Sequence, residues 1–163
     1  MIERNRLHRT ASAARAFLEP VWPLWHAARG TAPAVPSQWT CGRSSLFLQR
    51  VLSEDLGVAS VWVCGTPRYA EDAEELGPYG FLRDGRWRSH AWVVAEDWIV
   101  DITADQFGAA PVIVSPFSDE RYGRGPEDTA TDESKQRRHQ TVAGLWPLWL
   151  TSQERATLYA ADR

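Results

Sequence analysis

The stretch from residue 58 to residue 115 restricts the fold of this chain more than any other. It holds short apolar runs in succession, at 58–64, 86–94, 98–103 and, briefly, 111–115. These runs are rich in β-branched and aromatic residues, the signature of strands. The middle two are joined only by the polar turn Ala95-Glu96-Asp97. Helical patterns precede them. Residues 2–18 place Ile2, Leu7, Ala11, Ala14, Phe17 and Leu18 towards one side, and Pro20 and Pro23 end that helix. Leu48, Leu52 and Leu56 recur at i, i+4 and i+8, which predicts a helix over 41–56 with Thr40 as N-cap and Gly57 as the C′ residue. Helices first and strands in a row afterwards predict an α+β domain with helices packed on an antiparallel sheet.

At 163 residues the chain fits one domain. Within it, residues 1–35 read as a helical N-terminal extension and 36–115 as the core that carries the chemistry. Residues 68–85 read as an exposed excursion, with the acidic run Glu71, Asp72, Glu74 and Glu75 followed by Gly77-Pro78. Residues 118–140 are charged, interrupted by Gly and Pro and without apolar period, which predicts a mobile loop. The capping-box spacing of Thr151-Ser152-Gln153-Glu154 predicts a C-terminal helix over 151–161. Trp-Pro-Leu-Trp occurs at 22–25 and again at 146–149, and both copies read as apolar plugs between helices.

Lys and Arg number 18 against 21 Asp and Glu, a balance of −3 that argues against a dedicated nucleic-acid binder. No apolar run approaches the roughly 18 residues of a membrane span. The charged start Met1-Ile2-Glu3-Arg4 has no apolar signal core behind it, so a cytoplasmic location is expected. Lys135 is the only lysine, which reads as codon bias, and nine tryptophans read mostly as packing. Two cysteines cannot make a disulfide framework. The open question is whether either one is a reagent.

A thiol is a useful nucleophile only as thiolate, which a helix N-terminus and a nearby imidazole both favour. Cys41 is predicted in the first turn of its helix, whereas Cys64 ends an apolar strand and reads as core. Gly42 leaves room for a substrate carbonyl. The Cys41 N–H and the side chain of Gln38 are oxyanion candidates, with Trp39 flanking the nucleophile. His90 opens the apolar run His90-Ala91-Trp92-Val93-Val94. If Val94 and Asp97 flank a two-residue turn, Trp92 faces Ile99 and His90 faces Asp101, where a carboxylate would fix the imidazole tautomer. A three-residue loop would move the pair to the diagonal. Asp105 is the fallback orienter. No paired metal-ligand spacing is present, so neither a metal nor a cofactor is expected. A module that keeps the fold and only binds a peptide or protein is the alternative.

Cysteine at a helix start, histidine in a strand and aspartate in the next strand resemble papain-like and transglutaminase-like proteins. Cys41-x-Arg43-Ser44-x-Leu46-x-Leu48, Leu56-Gly57-Val58 and Ser89-His90-Ala91-Trp92-Val93 resemble the leader peptidases of lasso-peptide biosynthesis. Trp98-Ile99-Val100-Asp101-Ile102-Thr103-Ala104-Asp105-Gln106-Phe107-Gly108, followed by Val112-Ile113-Val114, resembles small uncharacterised bacterial proteins of the same superfamily. The resemblance implies Cys41 as nucleophile, His90 as general base and acid, and Asp101 as orienter. It implies acyl transfer at an amide of a peptide or protein substrate, through a thioester, by hydrolysis, deamidation or transamidation.

Overall fold

The computed structural model describes residues 2–27, 29–125 and 128–160. The architecture is α+β. Helices α1 (Arg4–Leu18), α2 (Trp22–Ala27) and α3 (Cys41–Arg50) come first, and α3 runs on as a π-turn over Val51–Asp55. Strands β1 (Ser60–Gly65), β2 (Gly80–Arg83), β3 (Arg86–Arg88), β4 (His90–Ala95) and β5 (Trp98–Asp101) follow. A 3-10 turn over Ala104–Phe107 leads to β6 (Ile113–Pro116) and β7 (Tyr122–Gly123), and α4 (Asp132–Leu150) and α5 (Gln153–Ala160) close the described chain. Among the described residues, no helix is long and apolar enough to cross a membrane.

The strands form two antiparallel sheets, one ordered β1-β4-β5-β6 and a smaller one ordered β3-β2-β7. One face of the larger sheet is the floor of the main core. Val93, Ala95, Val100 and Val114 meet Leu7, Ala11, Ala14 and Leu18 of α1 and Phe47, Leu48, Val51 and Leu52 of α3 and its continuation. The spacing of the α1 residues is one helical stripe, and all four are fully buried. Residues 1–35 are therefore not an appendage: α1 supplies a wall of the core.

Residues 118–140 differ most from the expectation of a loop. Tyr122–Gly123 is a strand, and α4 begins at Asp132, with Thr131 Oγ1 accepting from the Ser134 N–H at 3.2 Å. The early part of α4 lacks an apolar stripe because it lies towards solvent. Only its later part contributes Val142, Leu145 and Trp149 to the core. Sequence periodicity cannot see a helix whose only buried face begins after its first two turns. The second Trp-Pro-Leu-Trp lies inside α4 and the first forms the start of α2, so neither is a plug between helices. Ser152, not Thr151, caps α5, its Oγ accepting from the Arg155 N–H at 3.2 Å.

The excursion also ends in structure. Asp84 and Gly85 both adopt positive φ (52° and 71°) between paired β2 and β3. That is the Asp-Gly two-residue hairpin turn, a signal legible in Arg83-Asp84-Gly85-Arg86. Ser89 interrupts the run 86–94, so β3 and β4 join different sheets.

Arginine and tryptophan are coupled in this fold. Among the described residues, Arg15, Arg29, Arg43, Arg50 and Arg138 stack on Trp22, Trp39, Trp25, Trp146 and Trp62 at 4.3–5.0 Å. A planar guanidinium covers an indole face better than an ammonium does, so the bias towards arginine has a structural use.

Candidate active site

Cys41 is the first residue of α3 and is half-buried. In the first turn of a helix the backbone N–H groups have no intrahelical acceptor, and the dipole favours negative charge. Thr40 precedes the helix as expected, but its hydroxyl donates to Ser37 O at 2.7 Å and makes no side-chain cap. Two contacts fix α3 over the sheet: Ser45 Oγ donates to Ala91 O at 2.8 Å, and Trp62 Nε1 donates to Gly42 O at 3.1 Å. The start of α3 is thereby set against β4 and β1.

His90 begins β4 and is 3% exposed. Its Nε2 lies 2.7 Å from Asp101 Oδ2, and the imidazole is electrostatically coupled to the Cys41 thiol. The register differs from the expected one. Val93 pairs with Val100, Val94 with Ile99 and Ala95 with Trp98, so the turn residues are Glu96 and Asp97. Continuing that register sets Asp101 across from Trp92, not His90, and the contact is diagonal. Glu96, the first of the two turn residues, holds a positive φ of 50°, the sign that two-residue hairpin turns favour. A diagonal neighbour on the same face is within reach of an imidazole.

Asp101 is fully buried and has four partners. Besides His90, the Thr103 N–H donates to Oδ1 at 2.9 Å, Thr103 Oγ1 to Oδ1 at 3.3 Å and Tyr122 OH to Oδ2 at 2.9 Å. Tyr122 was hidden in the segment expected to be a loop, and nothing local in the sequence marks it. It arrives because β7 pairs with β2, where Gly80, Gly123 and Gly65 pack backbone against backbone and a Cβ on any of them would collide. Phe81, Trp92, Phe107 and Tyr122 surround the imidazole, with ring centroids 5.0–6.4 Å away. Gln106 is a further neighbour, its Nε2 donating to Thr103 O at 2.9 Å and lying 3.5 Å from His90 Nδ1.

The remaining candidates have other partners. Asp105 receives Arg15 on both oxygens at 2.9 Å and the Ser37 hydroxyl at 2.6 Å. It ties α1 to the loop before Cys41 and is not an orienter of His90. Gln38 Oε1 accepts from the Ala34 N–H at 2.6 Å, inside its own loop. Trp39 holds a positive φ of 64° two residues before the cysteine, a conformation a bulky residue adopts only under surrounding constraint. Among the described residues, no group of three or more His, Cys, Asp or Glu is placed to hold a metal ion.

Burial opposes every charge here, and the partners overcome it. Burial alone would raise the Cys41 thiol. The His90 hydrogen bond and charge, with the Ala91 N–H, hold it below its usual 9.0. Burial would likewise depress His90, but Asp101 and then Cys41 push it up to about 10. Asp101 is held below its usual 3.8 against burial by His90, Thr103 and Tyr122. Burial and the charge of Asp101 keep Tyr122 a neutral donor. Burial and Asp128 push the Cys64 thiol up. The two cysteines are thus driven in opposite directions.

These shifts give the pair a signature in stability. His90, raised from 6.5 to about 10, makes stability fall as pH rises above 6.5, while Cys41, held below 9.0, contributes a slope of the opposite sign that offsets it. In Cys41→Ser the opposing slope of the thiol is gone, and His90, still raised by Asp101, sets the slope alone. Stability is then expected to fall above pH 6.5 by up to about 1.4 kcal/mol per pH unit until His90 itself deprotonates. Urea melts of both proteins between pH 6.5 and 9 read this directly, and parallel profiles would refute the ion pair.

No family model matches the chain, and no curated protein matches it. A crystal structure described only as a genomics protein aligns over 98% of this chain and 78% of that one, with 18% identity and a TM-score of 0.38. A likeness at that level carries no argument about fold family or function.

Proposed function

We propose that the protein is a cysteine-dependent enzyme of the papain-like/transglutaminase-like kind, performing acyl transfer at an amide of a peptide or protein. The observation that carries this reading is the buried His90–Asp101 pair, 2.7 Å apart, to which the Cys41 thiol at the start of a helix is electrostatically coupled. Nucleophile, base and orienter stand in the order that acyl transfer needs.

The Cys41 thiolate attacks the amide carbonyl carbon, forming a C–S bond and an oxyanion. The Cys41 N–H, at the open end of α3, is a donor for that oxygen. His90 gives its proton to the amide nitrogen as the C–N bond breaks, leaving a thioester and a free amine or ammonia. Water or an incoming amine then attacks the thioester while His90 takes its proton, and the thiolate departs. Asp101 stabilises the imidazolium throughout, and Tyr122 and Thr103 fix the carboxylate. Peptide hydrolysis, side-chain deamidation and transamidation share these steps.

Iodoacetamide labelling followed by peptide mapping tests the reading. Cys41 is expected to react at pH 6–7 at least tenfold faster than Cys64, because the Cys41 thiol is held below its usual value and the Cys64 thiol above it. Equal and slow labelling of both cysteines would sink the proposal and leave a binding module on the same fold.

A further inference from the structure

A cleft of about 510 Å³ opens at the start of α3, where Gly42, next to Cys41 in the chain, lines it together with Trp25, Trp39, Arg29, Arg43, Arg137 and Arg138. Its charges have one sign, on a chain whose net balance is −3. The carboxylates near it are already engaged: Asp128 pairs with Arg138, and Glu133 pairs with Arg137 at 2.7 Å. Arg29 and Arg43 have no carboxylate partner among the described residues. Arg29 stacks on Trp39 at 4.9 Å and Arg43 on Trp25 at 4.3 Å. Arg43 is held below its usual value by burial and by the charge of Arg29, and both guanidinium groups line the same cleft. A stacked guanidinium is fixed in plane and keeps its N–H edge free for a bidentate carboxylate. The position is also informative, since two of the lining residues, Trp39 and Gly42, lie within two residues of Cys41 in the chain.

We propose that this cleft binds an acidic segment of the substrate, so that the amide presented to Cys41 is flanked by Asp or Glu residues. The inference rests on the acyl-transfer reading. In a peptide substrate the anions are side-chain carboxylates, whose methylene stems would lie against Trp25 and Trp39 while Arg29 and Arg43 hold the charge.

Two families of thiol-directed probes test it: chloroacetyl peptides, which extend on the leaving-group side, and peptidyl chloromethyl ketones, which extend on the acyl side. Each is made with Glu-Glu, Gln-Gln or Lys-Lys beside the reactive carbon, where the thiolate displaces chloride. In at least one family the Glu-Glu probe is expected to label Cys41 about tenfold faster than the Lys-Lys probe at low salt, with the ratio shrinking in 0.5 M salt. Arg43→Gln should bring the ratio towards one, and Arg29→Glu, at an exposed position, should invert it.

Equal rates for all three charge types in both families, with Cys41 still labelled faster than Cys64, would overturn the acidic-segment proposal and leave the acyl-transfer reading intact. Failure of the neutral probes to favour Cys41 would instead overturn the acyl-transfer reading. Protection of Cys41 by a single-stranded oligonucleotide but not by poly-glutamate would assign the arginines to nucleic acid and overturn the proposal.

Discussion

Replacing His90 with alanine is expected to slow iodoacetamide alkylation of Cys41 at pH 6 by about 10²-fold. A thiol at its usual 9.0 is ionised to about one part in a thousand at that pH. In His90→Ala the thiol also loses its hydrogen bond and opposing charge while burial continues to push it up. A stabilised thiolate is intrinsically the weaker nucleophile, which returns about one decade of the difference. Ionisation therefore wins over nucleophilicity. The pH dependence should change with the rate. In the parent protein the rate should rise with pH below the usual thiol range, whereas in His90→Ala the rise should move to pH 9 or above. Stopped-time labelling with mass-spectrometric quantification of the Cys41 peptide measures both, and an unchanged profile would remove His90 from the site.

The second large effect is on folding. Asp101→Ala is expected to destabilise the protein by about 3–5 kcal/mol, because it leaves His90 without its countercharge in a buried place. The Tyr122 hydroxyl and the Thr103 N–H would also lose their acceptor. Asp101→Asn keeps the shape and should cost less, but it removes the charge that holds His90 protonated. The acid limb gives an independent check. Asp101 is held below 3.8, so its contribution is present above that pH and is lost as pH falls through the lower folded value. Parent stability should therefore drop steeply below pH 4, and the drop should be shallower in Asp101→Asn. Urea titrations at pH 3, 4 and 6 settle the matter; equal slopes would mean that Asp101 carries no charge linkage.

The local features of this chain were legible where a residue's task is set by its near neighbours. The row Leu48, Leu52, Leu56 gave the helix that begins at Cys41, and Gly57 has the left-handed φ of 65° expected past its end. The π-turn within it was not legible, since one extra residue per turn barely disturbs an apolar row. The hairpin of β4 and β5 followed from its composition, but its register did not. Choosing which two of Ala95, Glu96 and Asp97 form the turn depends on how the strands twist against α1 and α3.

Asp105 shows the same division between local and long-range information. From sequence it was the fallback orienter for His90, and only the packing of α1 revealed Arg15 as its partner. Tyr122 shows the converse, being silent in the sequence yet in direct contact with Asp101.

By itself the sequence determined the class of fold, the helix that opens with Cys41 and the strand order that brings His90 and Asp101 onto one face. These follow from periodicity and residue type, which act over a few residues. Only the tertiary structure decided that Asp101 meets His90 on the diagonal, that Tyr122 completes the carboxylate's partners and that four arginines line one cleft at the start of α3. Each of those contacts joins elements far apart in the chain. Their geometry is fixed by the packing of the core and the glycine-mediated approach of the two sheets, which leave no local mark on the residues that benefit.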